Sequence, residues 1–326
     1  MHLFDYNPCE NGIVDLRHVR AFVAIADAGG FARATARLNL SQPAISRQIS
    51  ALERELGVRL FDRVGRRIQL TSEGEDILRR GRRLLLEADS LGERARALRH
   101  GEGGVLRVGA TPQNLENLLA VFLTHYRRRH PGVEVHLVEE GAIRLPDRLD
   151  RGEVHLALIA AGDDRFPGRL LYPIYLLAIL PATHRWSRRA VLEVSELADS
   201  PLLLLRREFG SRTWLDAACH VARIETSFLL ESSAPHTLIA LARAGYGIAV
   251  VPSNVQVPGH GLRAVPLVQR GAPIGRWATV AWDPRRFLAP YAERFVHELV
   301  AHTQRAYPGR NVTRRAPPLP RPKRPT

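Results

Sequence analysis

Apolar residues near the start of the chain recur at steps of three and four, the spacing that places side chains on one face of a helix. The first run predicts a helix that ends at Gly29-Gly30, and Phe31 to Leu38 predicts a second, Ala-rich one. Ser41 is a favourable N-cap for a third helix, whose first turn tolerates Pro43. The apolar positions are Leu16, Val19, Val23 and Ala26 in the first helix and Ile45, Ile49, Leu52 and Leu56 in the third. Three short helices with a tight turn between the last two predict a helix-turn-helix.

Two short apolar stretches around a basic turn follow the third helix. Leu60-Phe61 and Ile68 to Leu70 predict two strands, and Gly65 lies in the turn between them. This arrangement predicts a β-hairpin, the wing of a winged helix-turn-helix. Thr71 or Ser72 can cap the helix that follows the wing.

The helix predicted for residues 73–99 carries the sharpest periodicity in the chain. Apolar residues recur every seven positions, and small residues occupy the position four further on. The seven residues of this seam are Ile77, Leu84, Leu91 and Leu98, and Gly81, Ala88 and Ala95. Such a seam lets a second helix approach closely. Packing on the helix's own domain is the alternative, but the length of the helix and the arginines on its other faces favour self-pairing.

Beyond the glycine-rich hinge at residues 101–104, strands and helices alternate. Their alternation predicts an α/β fold with parallel sheets. The predicted strands cover residues 105–110, 133–138, 156–159, 202–205, 228–231, 248–251 and 277–282. Helices are predicted near residues 113–129, 142–151, 211–221, 234–244 and 287–305. The Pro- and Arg-rich residues 307–326 lack apolar periodicity and predict a disordered basic tail.

Charge and composition restrict the class of partner and the compartment. The net charge is +14, which favours nucleic acid as a partner, although a proteome rich in arginine would also raise it. The longest apolar stretch, Tyr172 to Ala182, is shorter than the roughly 20 residues that span a bilayer. Residues 1–10 do not resemble a signal peptide, and Cys9 and Cys219 provide no disulfide framework. The sequence therefore predicts a cytoplasmic protein.

Residues 16–72 resemble the DNA-binding domain of the LysR-type transcriptional regulators. The resemblance is carried by an ordered set of residues: Phe22-Val23, Gly30-Phe31, Ala34, Ala36, Leu38, Ser41-Gln42-Pro43-Ala44-Ile45-Ser46, Ile49, Leu52-Glu53, Leu56-Gly57, Leu60-Phe61, Arg63, Leu70-Thr71 and Gly74. The segments 108–112 and 244–252 continue the similarity, and the layout extends to about residue 305. The resemblance implies a homotetramer whose effector domain is two-lobed, like type 2 periplasmic binding proteins. The leader and the tail lie outside the usual pattern.

The third helix is the candidate DNA reader. With its apolar residues facing inward, a polar face remains on which Gln42 can bond adenine and Arg47 can bond guanine. Pro43 and Ala44 are expected to make shape and thymine-methyl contacts, and arginines of the second helix and the wing are expected to contact phosphates or the minor groove. The predicted DNA-binding residues are Arg33, Ser41, Gln42, Pro43, Ala44, Ser46, Arg47, Ser50, Arg63, Arg66 and Arg67.

The effector site is expected between the two lobes, at junctions where strands lead into helices. Free N–H groups at such junctions can hold an anion, and arginine can pair with a carboxylate, so we predict an anionic small molecule. A plain N-cap explains each serine or threonine equally well. The predicted effector-binding residues are Thr111, Pro112, Arg206, Phe209, Ser211, Arg212, Ser232, Ser233 and His236.

Patterns typical of enzymes and metal sites are not met. His297-Glu298 with His302 has one residue too many for a helical zinc pair, and Gly245-Tyr246-Gly247 lacks a third glycine. We therefore predict no enzyme activity, no metal and no cofactor. A solute-binding protein is the first rival, but residues 1–100 precede its domain without a signal peptide. An architectural DNA binder, or a repressor that no ligand controls, is the second.

The sequence thus predicts a ligand-responsive regulator that binds promoter DNA and itself, with RNA polymerase as a further partner. Its fold is a mainly α winged helix-turn-helix and a long linker helix, followed by an α/β two-lobed effector domain. The expected segments are a flexible leader (1–14), the winged helix-turn-helix (15–72), the dimerisation helix (73–100), the effector-binding domain (101–306) and the disordered tail (307–326).

Overall fold

The computed structural model describes residues 14–64, 67–100, 103–198, 200–314 and 316–322. The chain divides into two compact units between Ala95 and Arg96. The predicted leader lies almost entirely outside the described residues. Within the part of the chain that is described, no helix is long and apolar enough to cross a membrane.

The N-terminal unit contains the three helices and the hairpin that the apolar spacing predicts. The elements are α1 (Leu16–Ala28), α2 (Phe31–Leu38), α3 (Gln42–Leu56), β1 (Phe61–Val64), β2 (Arg67–Leu70) and α4 (Ser72–His100). Ser41 caps α3 by accepting a hydrogen bond from the Ala44 N–H at 3.4 Å. Thr71, rather than Ser72, caps α4, because its Oγ1 accepts from the Gly74 N–H at 2.8 Å.

The core of this unit fixes the orientation of α3. Ile45, Ile49 and Leu52 point inward and are fully or almost fully buried, as their spacing predicts. They pack with the first two helices and with Phe61 of the wing. Glu53 holds the wing base against α3, since its Oε1 accepts from the Leu60 N–H at 2.8 Å. Helix and wing are therefore positioned together.

One face of α4 is covered in its first turns and exposed further along, which corrects the predicted seam. Ile77 packs against the core of its own unit, and Gly81 is buried where an added Cβ would lie 3.1 Å from Val19. These two positions belong to packing within the unit, because the first turns of α4 cover α1. Further along, Leu84 is 44% exposed and Leu91 is 71% exposed. The other predicted seam residues are Ala88, half-buried, Ala95, exposed, and Leu98, whose side chain lies outside the description.

The C-terminal unit is an α/β domain with two lobes. Its strands are β3 (Gly104–Ala110), β4 (Val133–Glu139), β5 (Leu156–Ala160), β6 (Gly168–Pro181), β7 (Leu192–Glu193), β8 (Leu202–Leu205), β9 (Phe228–Ser232), β10 (Ile248–Pro252), β11 (Leu262–Gln269), β12 (Ala272–Pro273) and β13 (Gly275–Ala281). Its α-helices are α5 (Pro112–Asn114), α6 (Ala120–Arg129), α7 (Leu145–Arg151), α8 (Gly210–Ala222), α9 (Pro235–Arg243) and α10 (Pro290–Arg305). A π-helical turn, Leu115–Leu119, joins α5 to α6.

Strand β6 runs through both lobes and makes the hinge between them. Its first half pairs with β13, in the lobe that also contains β3, β4 and β5. Its second half pairs with β10 and β11, in the lobe that contains β8 and β9. The change of partner falls between Tyr175 and Leu176. Because one strand serves both sheets, a movement of the lobes must bend the backbone near that point.

The sheets are mixed rather than wholly parallel. Strands β3, β4 and β5 pair in parallel, as do β8, β9 and β10. However, β13 is antiparallel to β5 and β6, and β6 is antiparallel to β10 and β11. The prediction of parallel sheets is wrong for these strands, because the alternating pattern missed β6 and β11. A continuous apolar run such as Tyr172–Ala182 has no alternation that marks it as a strand.

The C-terminal segment corrects the prediction of a disordered tail. Residues 307–322, with residue 315 outside the description, pack on the effector domain rather than forming a disordered tail. Leu319 is buried in the core cluster beneath α9, and Val312 and Ala316 pack against that cluster. The low apolar content of the segment predicted disorder. A few apolar residues are nevertheless enough to order it, because they pack on a core that the rest of the domain already forms.

Candidate functional site

The exposed face of α3 carries the residues predicted to read DNA. Ser41, Gln42, Pro43, Ser46, Arg47 and Ser50 are all exposed, and Ala44 is half-buried. The Arg47 side chain makes no ion pair within the described residues, so its donors are available to a base or a phosphate. Arg33 on α2 is exposed, and its Nη2 donates to the Gly29 carbonyl at 3.1 Å. The face is polar, basic and close to the start of α3, where a helix-turn-helix contacts bases.

The wing lies beside this face but is only partly described. Its strands contain Arg63 and Arg67, whose side chains lie outside the description, and Arg66 lies outside it entirely. The contribution of these three arginines to DNA binding stays a prediction. The strands themselves are paired in register, with Phe61 opposite Leu70.

A cleft lies in the C-terminal unit, at the edge where strands of both lobes end. It holds about 530 Å³ of space, part of it open to solvent. From the first lobe it is lined by Thr111, Gln113, Asn114, Ala142, Leu158, Ile159, Ala160, Ile174 and Ala278, and from the second by Phe209, Gly210, Ser211, Trp214, Pro252 and Asn254. Ligands of open α/β sheets bind at such carboxyl ends of strands.

A hydrogen-bonded network of buried amides joins the two lobes at this cleft. Asn114 Oδ1 accepts from the Tyr172 hydroxyl at 2.5 Å and from Asn254 Nδ2 at 3.0 Å. Asn117, in the π-helical turn, donates to the Asn254 carbonyl oxygen at 3.0 Å. Burial raises the pKa of the Tyr172 hydroxyl well above its usual range, which keeps it a donor. Asn254 is 4% exposed, and its Oδ1 has no partner within the described residues.

Three of the nine predicted effector residues line this cleft: Thr111, Phe209 and Ser211. The other six do not, which corrects their predicted placement. Pro112 is the first residue of α5, Arg206 and Ser233 are exposed, and the Ser232 hydroxyl accepts from the Ala234 N–H at 3.1 Å. His236 is exposed and faces Glu116 across the lobes, with 3.7 Å between Nε2 and Oε2.

Arg212 is occupied by structural contacts rather than directed into the cleft. Its side chain is 5% exposed. Its Nε donates to Asp216 Oδ1 at 2.7 Å, and its Nη1 donates to Glu231 and to the Leu205 carbonyl oxygen. Burial acts to lower the pKa of Arg212, but these carboxylates raise it, so the guanidinium stays charged. An arginine already paired in this way does not need a ligand carboxylate.

Sequence reasoning missed the amides Gln113, Asn114 and Asn254 and the indole of Trp214. Asn114 and Asn254 are 140 positions apart in the chain, and no local pattern links them. Their one shared signal is position, since each follows the end of a buried strand.

The described residues contain no group of three or more His, Cys, Asp or Glu that could hold a metal ion. The HExxxH pattern has structural contacts instead, because Glu298 Oε1 lies 2.6 Å from His130 Nε2. The buried Cys219 thiol is not reactive at neutral pH, since burial raises its pKa to about 11.

Comparison with known proteins agrees with this architecture. Residues 16–75 match the family model of the bacterial regulatory helix-turn-helix proteins of the lysR family. Residues 99–304 match the LysR substrate binding domain. The two matches cover the winged helix-turn-helix and both lobes of the α/β domain.

Curated relatives match over most of their length. The uncharacterized regulator YnfL of Escherichia coli is 30% identical over 88% of this chain and 99% of its own. The regulator IlvR of Caulobacter vibrioides is 32% identical over 78% of this chain and 88% of its own. Both are described as HTH-type transcriptional regulators.

Solved structures share the fold. A full-length OxyR variant from Pseudomonas aeruginosa is 25% identical, with a TM-score of 0.65, over 90% of this chain and 95% of that one. The structure of full-length CbnR with its target DNA is 24% identical, with a TM-score of 0.57, over 89% of this chain and 99% of that one. At this level of identity the likeness is one of fold. With both domains matched, the chain belongs to the LysR family of bacterial helix-turn-helix transcriptional regulators.

Proposed function

We propose that this regulator binds promoter DNA as a homo-oligomer through α3 and the wing, and that a small monocarboxylate in the interlobe cleft controls its activity. The observation that supports ligand control is the cleft itself, which is lined from both lobes and joined by buried amides. A ligand there contacts both lobes at once, so it favours one arrangement of them. A repressor without a ligand has no use for such a cleft.

The chemistry of the lining supports a ligand with a single negative charge. No charged side chain lines the cleft within the described residues. Two helical segments begin at its lining from opposite lobes, α5 after its N-cap Thr111 and α8 at Gly210. Helix starts carry partial positive charge and unpaired N–H groups, which suits one carboxylate. A second carboxylate would have no cationic partner, and leaving it unpaired in a partly buried site is costly.

The walls of the cleft support a compact apolar body on that ligand. Leu158, Ile159 and Ile174 form one side, and Phe209 and Trp214 form the other. The enclosed space suits a ligand about the size of a short-chain or single-ring acid. We infer that Gln113, Asn114 and Ser211 supply the polar contacts that fix its orientation.

Self-association and the remaining partners are part of this proposal. The exposed Leu84 and Leu91 on α4 offer an apolar face that pairing of two chains would bury. Family membership supports an oligomer on promoter DNA in the cytoplasm, where RNA polymerase is available for contact. The relatives' names describe regulators, and they support a role without catalysis.

The ligand class can be tested by thermal unfolding with matched pairs of small molecules. We expect butyrate, 2-oxobutyrate or benzoate to raise the melting temperature, and the corresponding amides and phthalate to leave it unchanged. A ligand at 100 times its Kd adds about 2.7 kcal/mol, or roughly 5–10 °C for a domain of this size. Equal stabilisation by acids and amides, or none by any acid, would contradict the proposal.

A cleft-filling variant and its neighbour locate the site. Ala142 lines the cleft, whereas Ile143 is exposed beside it. Ala142→Phe should remove the shift that the acid produces, because the ring occupies ligand space. Ile143→Phe introduces the same ring outside the cleft and should retain the shift. A shift that survives in Ala142→Phe would place the ligand elsewhere.

A further inference from the structure

The chain continues past the family fold as an ordered segment on the hinge. The matched substrate-binding model ends at residue 304, and α10 ends at Arg305. Residues 307–322, which we call the strap, then pack on the effector domain, with residue 315 outside the description. The strap therefore lies beyond the part of the chain that the substrate-binding model matches.

The strap contacts β6, the strand that joins the lobes, and its neighbour β13. The Leu319 N–H donates to the Tyr175 hydroxyl at 3.2 Å, and the Leu319 carbonyl oxygen accepts from Trp277 Nε1 at 3.3 Å. Tyr175 is the last residue of β6 that pairs with β13, and Trp277 lies on β13. The Arg321 guanidinium lies 5.5 Å from the centre of the Trp277 ring. One leucine thus links β6, which runs through both lobes, to its neighbour β13.

A second group of contacts lies directly behind the effector cleft. The Tyr307 ring stacks on Tyr172, with 5.4 Å between ring centres, and Tyr172 donates to the cleft residue Asn114. Gly309 lies close to the backbone of Ser253, which precedes the cleft residue Asn254. A Cβ at position 309 would lie 2.1 Å from the Ser253 carbonyl oxygen, and its φ is +82°. The strap therefore touches the supports of both amides that join the lobes.

Ser253 itself ties the strap to the hinge strand. It is fully buried, its N–H donates to the Tyr175 carbonyl oxygen at 2.8 Å, and its Oγ accepts from the Tyr175 N–H at 3.1 Å. Tyr175 is thus held by Ser253 on its backbone and by Leu319 on its hydroxyl. Any bend of β6 at this point must move or release the strap.

The sequence of the strap suits ordered docking at low entropic cost. Leu319 lies between Pro318 and Pro320, and proline restricts both its own φ and the conformation of the residue before it. A chain that is already stiff loses less conformational freedom when it docks. A single buried leucine between prolines can therefore anchor a segment that otherwise has few apolar residues.

We propose that the strap is a brace that holds the interlobe hinge and the back of the effector cleft in one arrangement, so that the lobes move only when the strap shifts or detaches. Its consequence for ligand binding rests on the proposed effector cleft. The brace itself does not depend on the identity of the ligand, and a measurement without ligand separates the two.

Hydrogen–deuterium exchange of the full-length protein, without ligand, tests the brace. Leu319→Glu should detach the strap, because it places a charge in an apolar core. The matched control is Asn311→Glu, which adds the same charge at an exposed position of the strap. Should Leu319→Glu fail to fold, Leu319→Ala removes the same apolar side chain without placing a charge in the core.

We expect Leu319→Glu to accelerate exchange at least tenfold in peptides that cover residues 172–177, 251–256 and 274–279. Exchange in α1 to α3, which belong to the N-terminal unit, and in β4 should match the wild type, and Asn311→Glu should match it throughout. Unchanged exchange at the hinge in the leucine variants would overturn the proposal. Equal acceleration across the whole effector domain would also overturn it, because that marks general destabilisation rather than a local brace.

Discussion

Glutamate at both Leu84 and Leu91 is expected to leave the protein monomeric and to abolish operator binding. The two leucines are exposed and seven residues apart, on a stretch of α4 beyond the turns that pack on its own unit. Each leucine buried in a dimer contributes roughly 1.5–3 kcal/mol, and each chain supplies two. Replacing them with like charges should raise the dimer dissociation constant by at least about a thousandfold.

The matched control for this prediction changes charge on the same helix without touching the seam. Arg79→Gln with Arg83→Gln alters the net charge by the same two units at exposed positions. Analytical ultracentrifugation should show monomers for the glutamate variant and the wild-type oligomer for the glutamine variant. An unchanged oligomer in the glutamate variant would show that this face of α4 does not pair.

Replacement of Gly74 by alanine is expected to destabilise the N-terminal unit by about 3 kcal/mol, the upper end of the cost of overpacking. A Cβ at this position would lie 2.2 Å from the Leu60 carbonyl oxygen. That oxygen cannot easily move, because it accepts from the Thr71 N–H at 3.1 Å. The higher helix propensity of alanine returns only about 1 kcal/mol. The steric clash therefore outweighs the gain in helix propensity, and the substitution lowers the free energy of unfolding.

Thermal unfolding of Gly74→Ala should show the transition of the N-terminal unit lowered by roughly 12–24 °C, given about 4–8 °C per kcal/mol for a domain of that size. DNA affinity should fall with it, because Leu60 carries the base of the wing. Ser72→Ala serves as the control, since Ser72 is exposed and its hydroxyl contacts only Glu73 in the described structure. A melting curve for Gly74→Ala that matches that of Ser72→Ala would contradict the close approach.

The N-terminal unit could be predicted from the sequence because its signals are local. Apolar spacing, Ser41 as N-cap and the residues that end each helix (Gly29, Asn39 and Gly57) define α1 to α3 within a residue or two. The same periodicity could not separate the first turns of α4, which pack within the unit, from the later stretch, which is exposed. A heptad shows only that an apolar seam exists, whereas tertiary packing decides that Ile77 and Gly81 turn inward.

The effector cleft was harder to predict because it is built from distant segments. The junction residues Thr111 and Ser211 were found from their position between strand and helix. Arg212 was misplaced because a conspicuous arginine near a junction suggested a ligand contact. Its (i, i+4) partner Asp216 was a local sign of an ion pair within α8. Asn254 gave no sign beyond following a buried strand.

Selection of binding sites from random duplex DNA tests the central claim, sequence-specific DNA reading by α3, most directly. The wild type should enrich an inverted repeat, as expected for a symmetric helix-turn-helix oligomer. Gln42→Ala should lose the preference at one position of each half-site, worth ~1–3 kcal/mol or roughly 5- to 150-fold. Gln304→Ala makes the same change at an exposed position of α10 and should enrich the wild-type sequence. Enrichment of the same motif to the same degree by Gln42→Ala, or of no motif by the wild type, would contradict the account.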